Sequence, residues 1–328
     1  MRAGVQTRYG PPEVVGIAEV ETPIPRDDEI LVQIHVTTVN RTDCGFRAAH
    51  PWFVRSFAGL TKPRVQTLGS EFAGTVAALG ANVSSFQVGQ QVFGFNEGRW
   101  RAHAEYLTIL ADGPVAPIPD GVGLDEAAAS TEASHYALTN IRAANVVGGT
   151  VVLVNGATGA IGSAAIQLLK HLDATVTAVS DTEHMRFASD LGADRVIDRR
   201  VDDFTQDPRT YDLVFDAVGK SSYGRCKRLL RPRGIYASTD LGPYSLTPLL
   251  ALITRRSRGK RVMFPIPPDR DRAAIDHIAQ LLASGAFRPV IDRRYRLDEL
   301  VDAYRYVESG QKIGNVLITV VDPASPEA

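Results

Sequence analysis

Residues 151–170 read VVLVNGATGAIGSAAIQLLK, and no other stretch of the 328 residues limits the possible folds so sharply. An apolar, β-branched run meets glycines at 156, 159 and 162, and apolar residues at helical spacing follow from Ile161 to His171. A strand that passes through a small-residue turn straight into a helix is the first half of a βαβ unit. Ala157-Thr158-Gly159-Ala160-Ile161-Gly162 has the A-x-G-x-x-G spacing of a dinucleotide fingerprint, with alanine in the first glycine's place. The small residues let the backbone approach a pyrophosphate, whose charge the N–H groups of the helix N-terminus stabilise. A plain tight βα turn would also use such residues; the alternation that follows decides between the two.

That alternation is sustained. TVTAVS is a strand and Glu183–Leu191 a helix; RVID and YDLVFDAVG are strands, CKRLL is helical, and GIYAST is a strand again. Strands alternating with helices predict a parallel sheet covered on both faces. Residues 1 to 123 have another texture, with short β-branched runs such as EILVQIHVTTV and SEFAGTVAAL between Gly and Pro. A chain of this length is expected to form two domains. The predicted division is 124–267 for the dinucleotide-binding domain, against 1–123 with 268–328, where two helices and the strand NVLITVV return.

Composition narrows the classes of function. With 36 basic and 37 acidic side chains the net charge is −1, so no global field favours nucleic acid. Two cysteines exclude a disulfide framework and a cysteine-rich metal site. No apolar stretch is long enough to span a bilayer, and the first residues lack the apolar run of a signal peptide. The expected compartment is therefore the cytoplasm.

The residue that reads the adenosine ribose lies at the end of the second strand of such a unit. Here that place falls in AVSDTEHMR, on Ser180. Serine leaves room for a 2′-phosphate, with His184 or Arg186 to supply charge, and this favours NADP. Asp181 next door is the alternative, able to take the ribose hydroxyls itself as in NAD binding. FDAVG (215–219) and ASTDLG (237–242) end strands at the carboxyl edge of the sheet, where ligands bind. Ala217, Val218 and Thr239 are accordingly candidate cofactor contacts, together with Phe264 and Ile266 in GKRVMFPI (259–266).

Taken together, LGSEFAGTVAALGANVSSFQVGQQVFGF, HAEYL, LVNGATGAIGSAAIQL, LGADRVID, YDLVFDAVG and GNVLI resemble the medium-chain dehydrogenase/reductase superfamily. More narrowly, they resemble its zinc-independent quinone oxidoreductases and quinone-oxidoreductase-like alcohol dehydrogenases. The resemblance implies an α/β fold in which a doubly wound Rossmann sheet is inserted in a β-rich, GroES-like catalytic domain. It implies an NAD(P)H-dependent oxidoreductase acting on a small electrophilic substrate, with NADPH preferred and NAD as the alternative. It also suggests a homodimer paired at the last strand of the sheet, for which GKRVMFPI is suited.

Zinc enzymes of the superfamily carry cysteine in a C-x-T-D segment and histidine in a G-H-E segment. The matching segments here are Asn40-Arg41-Thr42-Asp43 and Gly69-Ser70-Glu71, and a third ligand position falls near Ser130. Asn and Ser are poor zinc ligands and Glu71 alone cannot hold the ion, so no zinc is expected. The N-x-x-D pattern of Asn40 and Asp43 is similar to that lining the nicotinamide cleft of zinc-free quinone oxidoreductases. In that role Asn40 donates to the acceptor oxygen, and Asp43 orients it or relays a proton. The competing reading makes Asn40 the end of a strand and Asp43 the cap of a turn. Ser134 matches a family hydroxyl position beside the nicotinamide.

Three features remain open at the level of sequence. Trp52, Phe53, Val54 and Phe57 form either a short packing helix or an apolar wall for a bulky substrate. RRSRGKR (255–261) is either a solvated loop or an attractor of anions. Asn315 stands where many relatives have lysine. The expected function is hydride delivery to a quinone, enone or carbonyl compound. The alternatives are an alcohol dehydrogenase for small aldehydes and alcohols, or a nucleotide-binding regulator without turnover.

Overall fold

The computed structural model describes residues 1–265 and 272–321. In chain order the first strands are β1 (Arg2–Gln6), β2 (Val15–Glu19), β3 (Glu29–Val39), β4 (Glu71–Leu79), β5 (Gln91–Phe95), β6 (Tyr106–Leu110) and β7 (Val115–Pro117). Helices α1 (Arg41–Ala48), α2 (Arg55–Ala58) and α3 (Leu124–Ala128) lie among or after them, and α4 (Thr131–Ala143) follows. Then come β8 (Val151–Asn155), α5 (Ala160–His171), β9 (Thr175–Ser180), α6 (Met185–Asp190), β10 (Arg195–Asp198), β11 (Tyr211–Asp216), α7 (Tyr223–Cys226), β12 (Leu230–Ser238), α8 (Thr247–Thr254) and β13 (Arg261–Met263). The chain closes with α9 (Arg272–Ala283), β14 (Ile291–Arg296), α10 (Leu300–Ser309) and β15 (Asn315–Thr319).

Two compact units result, Met1–Glu132 with Asp269–Ala328, and Ala133–Pro268. The sequence reading puts a boundary at 123/124, but α3 packs against β3, β4 and β5, which draws residues 124–132 into the first unit. The other reading, at 267/268, lies outside the described residues.

The first unit is built on a seven-stranded sheet in the order β14-β15-β3-β4-β5-β7, with β6 paired to β3. β3 is long because its alternate residues Ile30, Val32 and Ile34 all bury completely, against Phe72, Val92 and Leu107. α10 closes a second cluster, setting Leu300, Ala303, Tyr304 and Val307 on Val39, Cys44 and Ile318.

The second unit is a six-stranded sheet in the order β10-β9-β8-β11-β12-β13, parallel throughout. Counted from β8 this is the order 3-2-1-4-5-6 of the Rossmann fold, with its ligand crevice between the first and fourth strands. β8 (VVLVN), β9 (TVTAVS) and β10 (RVID) fall where the sequence puts them. The helix read at Glu183–Leu191 begins as a 3-10 turn, Thr182–His184, and CKRLL supplies only the end of α7 and another such turn before β12 begins at Leu230. Among the described residues no helix is long and apolar enough to cross a membrane.

Candidate active site

The glycine loop turns between β8 and α5. Gly156 holds the left-handed backbone (φ +89°), and a Cβ there would meet Val218 Cγ1 at 2.0 Å. A Cβ on Gly162 would meet the Gly156 carbonyl oxygen at 2.0 Å, so the first turn of α5 rests directly on the loop. Ala157 is tolerated in the first glycine's place because the positive φ belongs to Gly156, one residue earlier. Gly159 is the N-cap of α5 and offers no side-chain cap, which leaves the N–H groups of Ala160, Ile161 and Gly162 without helical partners. Beyond Gly159 a Cβ would find only the Gly156 oxygen, at 3.6 Å. Open space before uncapped, outward N–H groups fits a pyrophosphate. Thr158 lies at the crest of the same turn and is half-buried.

At the ribose end, Ser180 is buried and its hydroxyl donates to the Asp181 carbonyl at 2.9 Å. Of the two charges read from sequence for this place, Arg186 turns to solvent. Arg186 is 93% exposed on α6 and pairs with Asp190 at 3.8 Å, while His184 ends the 3-10 turn. The cations come instead from the strand beside β9. Arg199 and Arg200 follow β10, the Arg199 N–H donates to the Ser180 carbonyl at 2.9 Å, and both guanidiniums hold the Asp181 carboxylate, at 2.6 and 2.7 Å. Partial burial opposes ionisation of Asp181, but the two arginines outweigh it and keep its carboxyl below the ordinary value. The signal was in the sequence: RVIDRR sets two arginines at the carboxyl end of a strand parallel to the one ending in Ser180.

The opposite wall is organised by a residue that sequence reasoning passed over. Asp216, fully buried at the end of β11, accepts from Asn155 Nδ2 at 2.9 Å, Ser221 N at 2.8 Å, Tyr236 Oη at 3.0 Å and Val218 N at 3.4 Å. Its backbone carbonyl accepts from Thr239 N at 3.3 Å. Three strands, β8, β11 and β12, are thereby joined at one carboxylate, and Ala217, Val218 and Thr239 hang from it. Phe264 follows the edge strand β13, Ser134 is buried within α4, and Ile266 lies outside the described residues.

In the first unit, Asn40 and Asp43 open α1 as a reciprocal capping box. Asn40 Oδ1 accepts from Asp43 N at 2.8 Å and Asp43 Oδ2 accepts from Asn40 N at 3.1 Å. Asp43 Oδ1 also accepts from Gly69 N at 3.1 Å. The carboxyl is completely buried, and burial with the nearby Glu71 and Glu97 charges pushes its pKa up to about 8 against the pull of those N–H groups. These bonds hold Asp43 against Asn40 and Gly69, a geometry that suits orientation of Asn40. Asn40 Nδ2 donates to Ser70 Oγ at 3.0 Å and its amide also hydrogen-bonds the Glu71 carboxylate, so the amide is held on both sides. Glu71 is satisfied by Thr38 Oγ1, Thr131 Oγ1 and the Glu132 N–H, and burial raises its pKa.

These groups do not fit zinc. Asn40 and Ser70 bond to each other, burial pushes the Cys44 thiol far up, and among the described residues no three His, Cys, Asp or Glu side chains gather as ligands. His103 Nε2 donates to the Thr38 carbonyl at 2.8 Å, and burial drives its pKa down to about 4. It is therefore neutral, and its 3.9 Å approach to Asp43 is no ion pair.

Trp52 to Ala58 form a 3-10 turn and α2, of which only Val54 is buried. Trp52 remains 78% and Phe57 54% exposed, and Phe46 lies 4.5 Å from Trp100 and 5.8 Å from Phe57 between ring centroids.

One unit carries a Rossmann sheet with a glycine loop, the other a GroES-like sheet with a buried polar pair, the two parts of a nucleotide-dependent oxidoreductase. Residues 26–120 match the alcohol dehydrogenase GroES-like domain, and residues 191–318 match the zinc-binding dehydrogenase family. The chain is 28% identical to a 2-methylene-furan-3-one reductase of Solanum lycopersicum, over 97% of this chain and 79% of that one. It is equally, 28%, identical to a quinone oxidoreductase of Pseudomonas aeruginosa, over 94% and 97% of the two chains. The quinone oxidoreductase structure from Coxiella burnetii superposes with a TM-score of 0.88 at 24% identity, covering 98% of this chain and 99% of that one. In both matched segments the chain is similar to the medium-chain dehydrogenase/reductase superfamily, and its relatives include quinone oxidoreductases and an enone reductase.

Proposed function

We propose that the protein is an NADPH-dependent, zinc-free reductase of quinones, enones or polarised carbonyl compounds. One observation carries this reading: the neutral amide–hydroxyl pair of Asn40 and Ser70 at the places where zinc enzymes of the superfamily put thiolate and imidazole. NADPH, when bound, supplies the hydride. The uncapped N–H groups of α5 would hold its pyrophosphate, and Ser180 with Arg199 and Arg200 its 2′-phosphate. Ala217, Val218 and Thr239 would border the nicotinamide.

Without a Lewis acid, the acceptor must already be electrophilic or be polarised by hydrogen bonds. The Asn40 amide, shared in this structure between Ser70 and Glu71, is the donor for its oxygen, and Asp43 fixes the amide's direction through the capping box. Phe46, Phe57 and Trp100 supply an apolar side suited to a planar acceptor. In this reading the enzyme works in the cytoplasm as a homodimer paired along the open edge of β13.

The test is NADPH oxidation by the purified protein against a panel of quinones, enones and aldehydes, with zinc measured by elemental analysis. Turnover on the first two classes without metal is expected, and chelators should leave it unchanged. Stoichiometric zinc lost together with activity would overturn the zinc-free reading. Turnover confined to small aldehydes and alcohols would move the protein to the alcohol dehydrogenases.

A further inference from the structure

Glu71 and Glu132 form a buried pair of carboxyls within the first unit, and their surroundings treat the two unequally. Glu71 Oε1 accepts from Thr131 Oγ1 at 2.9 Å and from the Glu132 N–H at 2.7 Å. Its Oε2 accepts from Thr38 Oγ1 at 2.5 Å, and the Asn40 amide is a further donor to this carboxylate. The Glu132 side chain accepts one bond, from Thr42 Oγ1 to Oε1 at 2.5 Å. Its Oε2 has no partner among the described residues and is not sealed off, the residue being 7% exposed. Hydrogen bonds to the charged form hold the charge where they are most numerous. Glu71 therefore keeps the charge of the pair, and Glu132 carries the proton on its open oxygen.

Burial, and after it the Glu71 charge, holds the Glu132 carboxyl well above the ordinary range, and Asp43 and Glu97 push the same way. Lys312, whose Nζ donates to the Gly314 carbonyl at 2.6 Å, faces the pair from the loop before β15, with Arg41 and Cys44 of α1 near it. The acid also lies close to the donor for the acceptor oxygen. Thr42 follows Asn40 by two residues in the first turn of α1, and Glu71 bonds both the Asn40 amide and the Glu132 N–H. Hydride addition to an enone leaves an enolate, which needs a proton on carbon. Oxygen anions take protons from water at once, whereas carbon takes them slowly unless an acid is positioned for it.

We propose that Glu132 is the proton donor in enone reduction, delivering the hydrogen on its Oε2 to the carbon beside the carbonyl. The proposal rests on the reductase reading. Hydride from the cofactor forms the new bond at the β-carbon, and the electron pair of the double bond passes to the enolate, whose oxygen the Asn40 amide holds. The α-carbon then takes the Glu132 proton as the carbonyl re-forms. The carboxylate left behind faces the Lys312 ammonium and regains a proton from water through its open oxygen.

The experiment compares the full chain with E132Q in NADPH-driven reduction of 2-methyl-2-cyclohexenone and of benzoquinone. Glutamine keeps an acceptor for Thr42 but has no acidic proton. Turnover of the enone is expected to fall roughly 100-fold in E132Q. Benzoquinone should suffer far less, because its reduced form is protonated on oxygen. NADPH affinity and the melting temperature should hold. Product chirality supplies a readout that survives a variant that fails to fold. A fixed donor protonates one face, so the parent chain should give one enantiomer of the methylcyclohexanone, and E132Q should erode that excess. Racemic product from the parent, an unchanged enone rate in E132Q, or equal losses on both substrates would overturn the proposal and leave the reductase reading standing. Parent turnover on benzoquinone alone would do the same. A parent chain that reduces neither substrate would overturn the reductase reading and the proposal with it.

Discussion

Replacing Asp216 by asparagine tests whether one buried carboxylate organises the wall of the cofactor groove. Its two oxygens serve four donors, of which Asn155 Nδ2, Ser221 N and Tyr236 Oη lie within 3.0 Å. An asparagine keeps one acceptor oxygen, and in the rotamer that leaves that oxygen to Asn155 the NH2 group faces Ser221 and Tyr236. The tyrosine hydroxyl can rotate and accept; the Ser221 N–H cannot. One buried donor is orphaned, at about 1–3 kcal/mol, and the remaining bonds lose their charge assistance, which adds about 1 kcal/mol. We therefore expect Asp216→Asn to cost about 2–4 kcal/mol in urea unfolding of the second unit.

The companion Tyr236→Phe should cost about 1 kcal/mol alone and much less in the Asp216→Asn background, because its acceptor is already gone. NADPH affinity should fall in Asp216→Asn, since Ala217, Val218 and Thr239 lose their anchor. A fragment lacking nicotinamide, adenosine 2′,5′-bisphosphate, should bind as before. An unchanged urea midpoint with unchanged NADPH affinity would refute the reasoning. Equal weakening of NADPH and the fragment would show that the whole groove, and not one wall, had been disturbed.

Three further outcomes follow from the geometry. Replacing both Arg199 and Arg200 by alanine should cut the preference for NADPH over NADH, read from the two dissociation constants; an unaltered ratio would mean that the 2′-phosphate is held elsewhere. Asn40→Asp retains the helix cap but removes the amide donor, so enone reduction should slow by on the order of 100-fold while NADPH affinity holds, and rates unchanged on every substrate would leave Asn40 a cap alone. For Asp43 the folded pKa, about 8, lies above the ordinary carboxyl value of 3.8, so folding takes up a proton and stability falls as pH rises through that window. His103, lowered to about 4 from 6.5, acts in the opposite sense below pH 6.5 only. Between pH 6.5 and 8 the first unit should lose stability, and Asp43→Asn should flatten that slope in urea midpoints measured across the range; an equal slope in the variant would assign it to other groups.

The Rossmann unit was largely legible because its signals are local. VVLVN, TVTAVS and RVID are apolar runs between turn residues, and each bounds itself. Asn40 and Asp43 were legible as a pair but ambiguous in role, since the spacing that makes an N-x-x-D cleft motif also makes a capping box. Only the bonds to Ser70 and Glu71 show how the amide is held. Arg199 and Arg200 escaped because the reading moved along the chain from Ser180, whereas the sheet places β10 beside β9. Asp216 escaped for a related reason: its partners at 155, 221 and 236 come from three segments that only the parallel sheet brings together. The boundary at 123/124 followed a change of composition, and composition does not reveal that α3 packs backwards onto β3 and β4.

The contact of Gly162 with the Gly156 carbonyl has a consequence for how such sequences evolve. Both glycines are required before any nucleotide arrives, since a methyl group on Gly162 would collide with the Gly156 carbonyl oxygen, and Gly156 holds a positive φ with Val218 against its Cα. A lineage that ceased to reduce anything would still be selected to keep them, simply to keep folding. The signature of the loop is thus inherited with the architecture, and it will outlive the chemistry in descendants that take up other work. Loss of activity would be written first in positions that folding leaves free, such as Arg199 and Arg200, and those are the places where silent relatives should diverge.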